Sequence, residues 1–311
     1  MLITTRRIIL LGFCFLILLI VWFFNVSRPG RRVTGCFQGC SSDQIENRII
    51  RIISLNMLHG RPDFEYLPQR LALIATEIQR LDPDIVLLQE VPWTLKMGNG
   101  AEYLAEQTGM NYAYYRANGN KWAIFFEEGE AILSRYPLTH LSFTELKPKA
   151  DFFEHRVVLH ATAITPAGEL DLFVTHLTDG EETVNQAQLD SLRAFVENTA
   201  TTSAVIAGDF NAREDEVHMV SLVEEWIDGF RLLHPEEPGY TSSVDDLRAG
   251  SEEALEKRID YIFIRPLGEN SVNILKAEVV FNQPFQTGDG WLWASDHAGV
   301  MIELEMVGID K

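Results

Sequence analysis

Two periods of apolar and polar positions run through most of this chain. Ile49 to Leu55 is apolar and rich in β-branched residues, and it stops at Asn56. That is the pattern of an interior strand. Leu67, Leu71, Ile74, Ile78 and Leu81 then recur at helical spacing, with Pro68 near the start. Asp82-Pro83-Asp84 breaks that helix. Ile85 to Glu90 reads as a second interior strand, ending on a carboxylate. A short helix is predicted over Ala101 to Thr108, closed by Gly109. Lys121 to Phe126 and Glu130 to Ser134 read as strands around a turn. Arg156 to Ile164 and Glu169 to His176 read as a hairpin across Thr165-Pro166-Ala167-Gly168. Thr183 to Asn198 predicts a helix, Val205 to Asp209 a buried strand, and Glu216 to Trp226 another helix. An acidic loop fills 235–257, and strands resume over Arg258 to Ile264, Ile274 to Phe281 and Gly299 to Leu304. Strand hairpins alternating with a few helices predict a layered α/β body.

Before that body, Ile8 to Phe24 is an unbroken run of 17 apolar or glycine residues. It is long for a signal-peptide core and short for a membrane span. Trp22, Phe23 and Phe24 at its end suit an interfacial aromatic belt. The expected organisation is a membrane anchor or signal segment over 1–27, a linker over 28–47 and one catalytic domain over 48–311. Arginines flank the run on both sides, so charge does not orient it. Cys36 and Cys40, four apart, are spaced for a small disulfide loop, which tilts the reading toward an exported domain.

Charge narrows the partners. The net charge is −19, and the first 32 residues hold five arginines and no acid. The rest carries 21 basic against 45 acidic side chains, a balance of −24. Such a body repels a bare polyanion and suits a site for divalent cations.

The candidate chemistry sits where strands end. Asn56, Glu90, His176, Asp209 with Asn211, Asp260, and Asp296 with His297 all stand at or beside strand termini. Each has a plain structural explanation alone: a turn cap, a solvated strand end, a satisfied core histidine, or an ion pair with Arg258 or Arg265. Together they demand more, because charged groups are seldom placed at core-strand ends without partners. Asp209 and Asn211 lie two apart and so leave an extended segment on one side. As chemistry, the set reads as a phosphoester hydrolase. Glu90 and Asp296, with Asn56, are the expected ligands of Mg²⁺ or Mn²⁺. Asp209 orients or deprotonates a water, and Asn211 fixes phosphate. His176 and His297 donate to phosphoryl or leaving oxygens, and Asp260 orients His297. No nucleophile-elbow serine and no phosphate-binding loop of the P-loop type appears.

Seven motifs in order resemble the endonuclease/exonuclease/phosphatase superfamily with the DNase I-like fold. They are Ser54-Leu55-Asn56, Leu88-Gln89-Glu90-Val91, Gly129 to Pro137, Thr175-His176-Leu177, Gly208-Asp209-Phe210-Asn211, Arg258 to Ile262 and Ser295-Asp296-His297. The resemblance covers about 48–306. It implies a four-layer α/β sandwich, with two central, mostly antiparallel sheets flanked by helices. It also implies Mg²⁺-dependent phosphoester cleavage by direct water attack. In that pattern Glu90 is the metal ligand, Asp209 and Asn211 orient water, Asp260 and His297 form a dyad, and Asp296 is a second acid near the metal. His176 matches a histidine of DNase I-like and sphingomyelinase-like members, and Arg156 is placed facing the site. Arg258-Ile259-Asp260 stands where inositol 5-phosphatases carry Cys-Asp-Arg, which argues against that group. The expected function is a divalent-metal phosphodiesterase acting on a membrane-associated or small phosphoester, such as a phospholipid headgroup. The alternative is a DNA endonuclease or exonuclease. A binding module without activity is the reading from another class, and the retention of all six key polar residues opposes it. Oligomeric state is left open.

Overall fold

The computed structural model describes residues 2–41, 49–251, 255–267 and 271–307. The first elements are helix α1 (Leu2–Phe23), β1 (Thr34–Cys36), β2 (Ile49–Asn56), α2 (Leu67–Leu81), β3 (Ile85–Thr94), β4 (Gly98–Asn99), α3 (Gly100–Thr108) and β5 (Asn111–Gly119). The middle of the chain forms α4 (Lys121–Ile124), β6 (Phe126–Ser134), β7 (Leu138–Glu145), β8 (Val157–Thr165), β9 (Gly168–His176), α5 (Glu182–Thr199) and β10 (Ala204–Asp209). Last come α6 (Val217–Leu222), β11 (Ile227–Asp228), α7 (Gly229–Leu233), β12 (Asp260–Arg265), β13 (Ser271–Val280), β14 (Phe285–Thr287), β15 (Gly290–Leu292) and β16 (Gly299–Val307).

One sheet has the order β1-β5-β6-β3-β2-β16-β13, with β4 paired to β3. The other runs β11-β12-β10-β9-β8-β7. Among the described residues, only β2–β3 and β9–β10 pair in parallel. The strands alternate strictly, so each sheet buries two faces. Ile52, Leu87 and Ile302 of the first sheet meet Leu159, Val174, Val205 and Ile262 of the second in a central core. Outside the first sheet, Leu71, Ile74 and Ile78 of α2 and Leu104 of α3 cover Ile53, Val86 and Leu133. Outside the second, Leu189, Leu192 and Val196 of α5 cover Phe173, Ile206 and Phe263. The result is the expected four-layer α/β sandwich.

Four local readings change. Lys121 to Ile124 is a short helix, not a strand, because the Asn120 side chain accepts from Trp122 N and caps it. The following strand starts at Phe126, and the polar-looking run 127–130 is buried inside it. The helix expected over Glu216 to Trp226 stops at Leu222. Within the expected linker, Thr34–Cys36 pairs with β5 as an edge strand, and Gly30 N donates to Arg116 O at 2.8 Å. Cys36 and Cys40 are joined as a disulfide. Residues 42–47 of that linker lie outside the described residues, as do 252–254 of the acidic loop. Among the described residues no helix is long and apolar enough to cross a membrane. The side chains of α1 from Ile8 onward are nevertheless exposed, with Ile8 at 68% and Leu11 at 69%.

Candidate active site

The two parallel pairs bring four strand ends to one edge of the sandwich. In register, Asn56 pairs with Gln89, and Asp209 stands beside both His176 and Asp260. Gly208 makes that closeness attainable. Its φ is +153°, and a Cβ there would lie 1.9 Å from Thr175 O. Gly208 lies inside β10, where only glycine admits the close approach of β9.

Glu90 sits in a β-bulge between Leu88 and Val91, with φ +54°. A bulge re-aims one side chain without ending the strand. Its Oε1 accepts from Asn56 Nδ2 at 3.3 Å, and its Oε2 from His59 N at 3.0 Å. Asn56 Nδ2 also donates to Asp209 Oδ2 at 3.1 Å, tying the two sheets together. Asn211, likewise at positive φ (48°), donates from its backbone to Asp209 Oδ1 at 2.9 Å. Its Nδ2 lies 3.0 Å from His176 Nε2 and donates to Leu177 O at 3.0 Å. His297 Nδ1 stands 2.9 Å from Asp260 Oδ2, and its Nε2 faces Asp209 Oδ2 at 3.8 Å. Ser295 fixes this last loop: its hydroxyl donates to Asn56 O at 2.7 Å and contacts Asp296 Oδ1 at 3.2 Å. All eight expected site residues therefore meet at one edge.

Electrostatics sort these groups. Burial opposes ionisation of Glu90, but the neighbouring imidazoles of His59 and His176 and the His59 N–H outweigh it and hold the carboxyl down at about 2. Burial and the nearby Asp260 charge push Asp209 up to about 7. Burial and the Arg156 charge lower His176 well below the usual imidazole range. For His297, burial disfavours the cation, yet Asp260 and Asp209 raise it well above that range. Burial, and then the Glu90 charge, raise Asp296.

The donor set fits a hard divalent cation. Buried Asp209 and Asp260 and half-buried Glu90 and Asp296 crowd four carboxylates together, and Asp260 Oδ1 has no hydrogen-bond partner. Asp209, Asp260 and His297 offer donor atoms within 4.8 Å of one another. Oxygen-rich, acidic sites of this kind suit Mg²⁺ or Mn²⁺.

Four participants were not singled out from sequence. His59 places both its backbone N–H and its ring Nε2, 3.5 Å away, on Glu90. Arg70 is fully buried on α2 and donates to the carbonyls of Met57, Leu58 and Ala294, binding the loop after β2 to the loop before Asp296. Glu128 and Glu130 are buried acids behind the site, both raised chiefly by burial. Arg156, expected to face the site, acts on the charges of Glu90, His176 and Glu130.

The sequence profile of the "Endonuclease/Exonuclease/phosphatase family" matches residues 53–297. This chain belongs to that family. Membership carries phosphoester hydrolysis as the coarse activity. No curated protein matches the chain. Among solved structures, it is similar to an endonuclease/exonuclease/phosphatase from Beutenbergia cavernae DSM 12333 at 22% identity and TM-score 0.64, covering 84% of this chain and 72% of that one. A Bacteroides thetaiotaomicron family protein aligns at 17% identity and TM-score 0.65, covering 84% and 98%. Humanized D. rerio TDP2 aligns at 17% identity and TM-score 0.64, covering 83% and 99%. At these identities the structural likeness establishes the DNase I-like fold.

Proposed function

We propose that this protein is a divalent-metal-dependent phosphodiesterase that hydrolyses a phosphoester held at a membrane surface. The observation that carries the hydrolase chemistry is the chain of contacts Asp260–His297–Asp209–Asn211 at the edge where Glu90 also projects. Asp209, its carboxyl raised by burial and by the Asp260 charge, accepts the proton of the attacking water. Asn211 and Asn56 hold its carboxylate in place. Asp260 keeps the His297 imidazolium aimed outward, so that Nε2 donates to the phosphoryl or leaving oxygen. Neutral His176 positions Asn211 and serves as a second donor toward phosphate. Glu90 and Asp296, with Asn56, would hold Mg²⁺ or Mn²⁺, which when bound supplies Lewis-acid stabilisation of phosphoryl charge.

Three features support a membrane-associated substrate. The exposed apolar side chains of α1 suit lipid better than water. The acidic body disfavours a polyanion. A cleft of about 500 Å³ leads from Val26 and Ser27, at the foot of α1, to His59, the partner of Glu90. We place the catalytic domain on the exported side, in keeping with the Cys36–Cys40 disulfide.

The test follows Mg²⁺-dependent hydrolysis of bis-p-nitrophenyl phosphate, supercoiled plasmid and sphingomyelin-containing vesicles by the full chain in neutral detergent. Lipid cleavage without plasmid nicking is the expected result. Plasmid nicking that weakens as salt rises would replace this reading with a DNase I-like nuclease.

A further inference from the structure

A second cavity, of about 650 Å³, opens at the foot of α1 and is separate from the catalytic residues. Its lining concentrates five cations, Arg28, Arg31, Arg32, Arg116 and Lys121, on a protein whose net charge is −19. Only two carboxylates join them, Glu102 and Glu127, and Glu127 is engaged by Arg116 at 2.5 Å. Among the described residues, Arg28, Arg31, Arg32 and Lys121 have no carboxylate partner for their side chains. The Lys121 ammonium instead sits 5.1 Å from the Trp93 ring centre and 5.9 Å from that of Trp122.

The cavity also holds unused polar atoms. The Tyr114 hydroxyl is buried without a partner, and so are Nε of Arg28 and Nε of Arg116. Tyr114 is only 4% exposed, so solvent does not satisfy it. Buried donors without acceptors are costly and mark a place where a ligand supplies the missing acceptor. The donors here are guanidinium, ammonium and phenol groups, the chemistry that recognises phosphate oxygens. Burial, together with the charges of Arg31 and Arg116, lowers Arg28, as expected of clustered cations awaiting an anion.

The surroundings select the source of that anion. The wall is fixed rather than loose. Gly119 N donates to Ser27 Oγ at 3.0 Å, Asn120 Nδ2 to Asn25 O at 2.8 Å, and Trp22 Nε1 to Ala123 O at 3.1 Å. These bonds lock the end of α1 to the rim of the cavity. Beside it, Phe23 stacks on Phe152 with ring centres 5.8 Å apart and meets Phe153 at 5.2 Å. Trp122 is 84% exposed at the mouth. An apolar helix, an aromatic collar and a cationic pocket in sequence match the depth profile of a lipid interface, from acyl chain to headgroup.

We propose that this cavity binds the phosphate of an anionic phospholipid headgroup, docking the catalytic domain on an anionic lipid surface. The choice of lipid over free phosphate rests on the membrane reading given above. Binding through this pocket would set the cleft at Val26 and Ser27, and with it the catalytic edge, against the same surface.

The test is calorimetric titration of the full chain in neutral detergent micelles, without divalent metal so that no turnover occurs. The ligands are dihexanoyl phosphatidate, dihexanoyl phosphatidylcholine and inorganic phosphate. Saturable binding of phosphatidate is expected, weaker at high salt, with phosphatidylcholine silent and phosphate much weaker. Arg28→Gln with Lys121→Gln should weaken phosphatidate by roughly 10-fold or more, and Lys276→Gln should not. Arg31→Gln with Arg32→Gln, on exposed side chains, repeats the test without touching buried structure. Equal affinity for phosphatidate and inorganic phosphate would overturn the lipid assignment. Absent binding, or binding indifferent to both double variants, would overturn the site itself. Hydrolysis of sphingomyelin vesicles is measured separately, so failure of the enzymatic reading leaves this binding result standing.

Discussion

Nδ1 of His297 and Oδ2 of Asp260 lie 2.9 Å apart, and both groups are buried. The pairing fixes the ring, leaves Nε2 facing Asp209, and stabilises the imidazolium. Asp260→Asn keeps the shape but removes the charge that holds the proton on His297. Turnover of bis-p-nitrophenyl phosphate should fall by ~100-fold or more, as expected for a disabled acid–base group. Asp209→Ala and His297→Ala should each cost at least ~100-fold as well. Glu90, Asn56 and Asp296 are untouched in Asp260→Asn, so its turnover should fall further than its Mn²⁺ affinity. Near-normal turnover in that variant would remove His297 from the proton-transfer role.

The Glu90 carboxyl is held at about 2 and aimed by a bulge at positive φ. Glu90→Gln retains the size and one acceptor oxygen, so it can keep the contact from Asn56 or the one from His59 but not both. What it loses is the fixed negative charge a hard cation needs. Mn²⁺ affinity, followed by calorimetry, should drop at least ~10-fold with little change in melting temperature. Unchanged affinity would move the metal toward Asp209 and Asp260.

Gly208 sets the spacing between β9 and β10, and thereby between His176 and Asp209. A methyl group there meets Thr175 O at 1.9 Å, and the φ of +153° disfavours any side chain. Gly208→Ala should destabilise the fold by at least about 2 kcal/mol, because strain and strand separation add. Urea unfolding measures it directly. A stable, fully active Gly208→Ala protein would show that the two strands can part without cost.

Most of the scaffold was legible because its strands are buried on both faces and its long helices carry one apolar stripe. β2, α2, β8, β9, α5 and β10 follow from period alone. The eight site residues were legible for a different reason: polar groups that terminate buried strands need partners, and they are each other's partners. The misses have physical causes too. Lys121 to Ile124 has strand-like apolar residues, but the Asn120 cap decides for a turn of helix. Glu127 and Glu128 fall where a turn is expected, yet both lie buried in β6, where they accept from Arg116 and Asn118 of the adjacent β5. His59 reaches Glu90 with its backbone N–H as well as its ring, and no side-chain pattern reports the former. Arg70 reads as a polar position on a helix, and only the folded loops show the carbonyls it binds.

Away from the site, Asp171 anchors the second sheet at the end remote from Asp209. Its Oδ1 meets His160 Nε2 at 3.0 Å and accepts from the Thr162 hydroxyl at 2.7 Å. Its Oδ2 accepts from the backbone N–H groups of Thr201 and Thr202, at 2.8 and 3.0 Å, fixing the turn between α5 and β10. Burial opposes ionisation here, but His160, Thr162 and those N–H groups outweigh it and hold the carboxyl well below the usual range. A depressed carboxyl binds fewer protons folded than unfolded, so its contribution is present above the ordinary carboxylate value of ~3.9 and fades as pH falls below it. Asp171→Asn removes that ionic acceptor and should destabilise the protein by about 2 kcal/mol at pH 7. The gap between the two proteins should narrow as pH drops from 5 toward 2 in urea titrations followed by circular dichroism. A gap that stays constant across that range would mean the carboxylate is not ionised against its partners, and the contacts around Asp171 would then act as neutral hydrogen bonds.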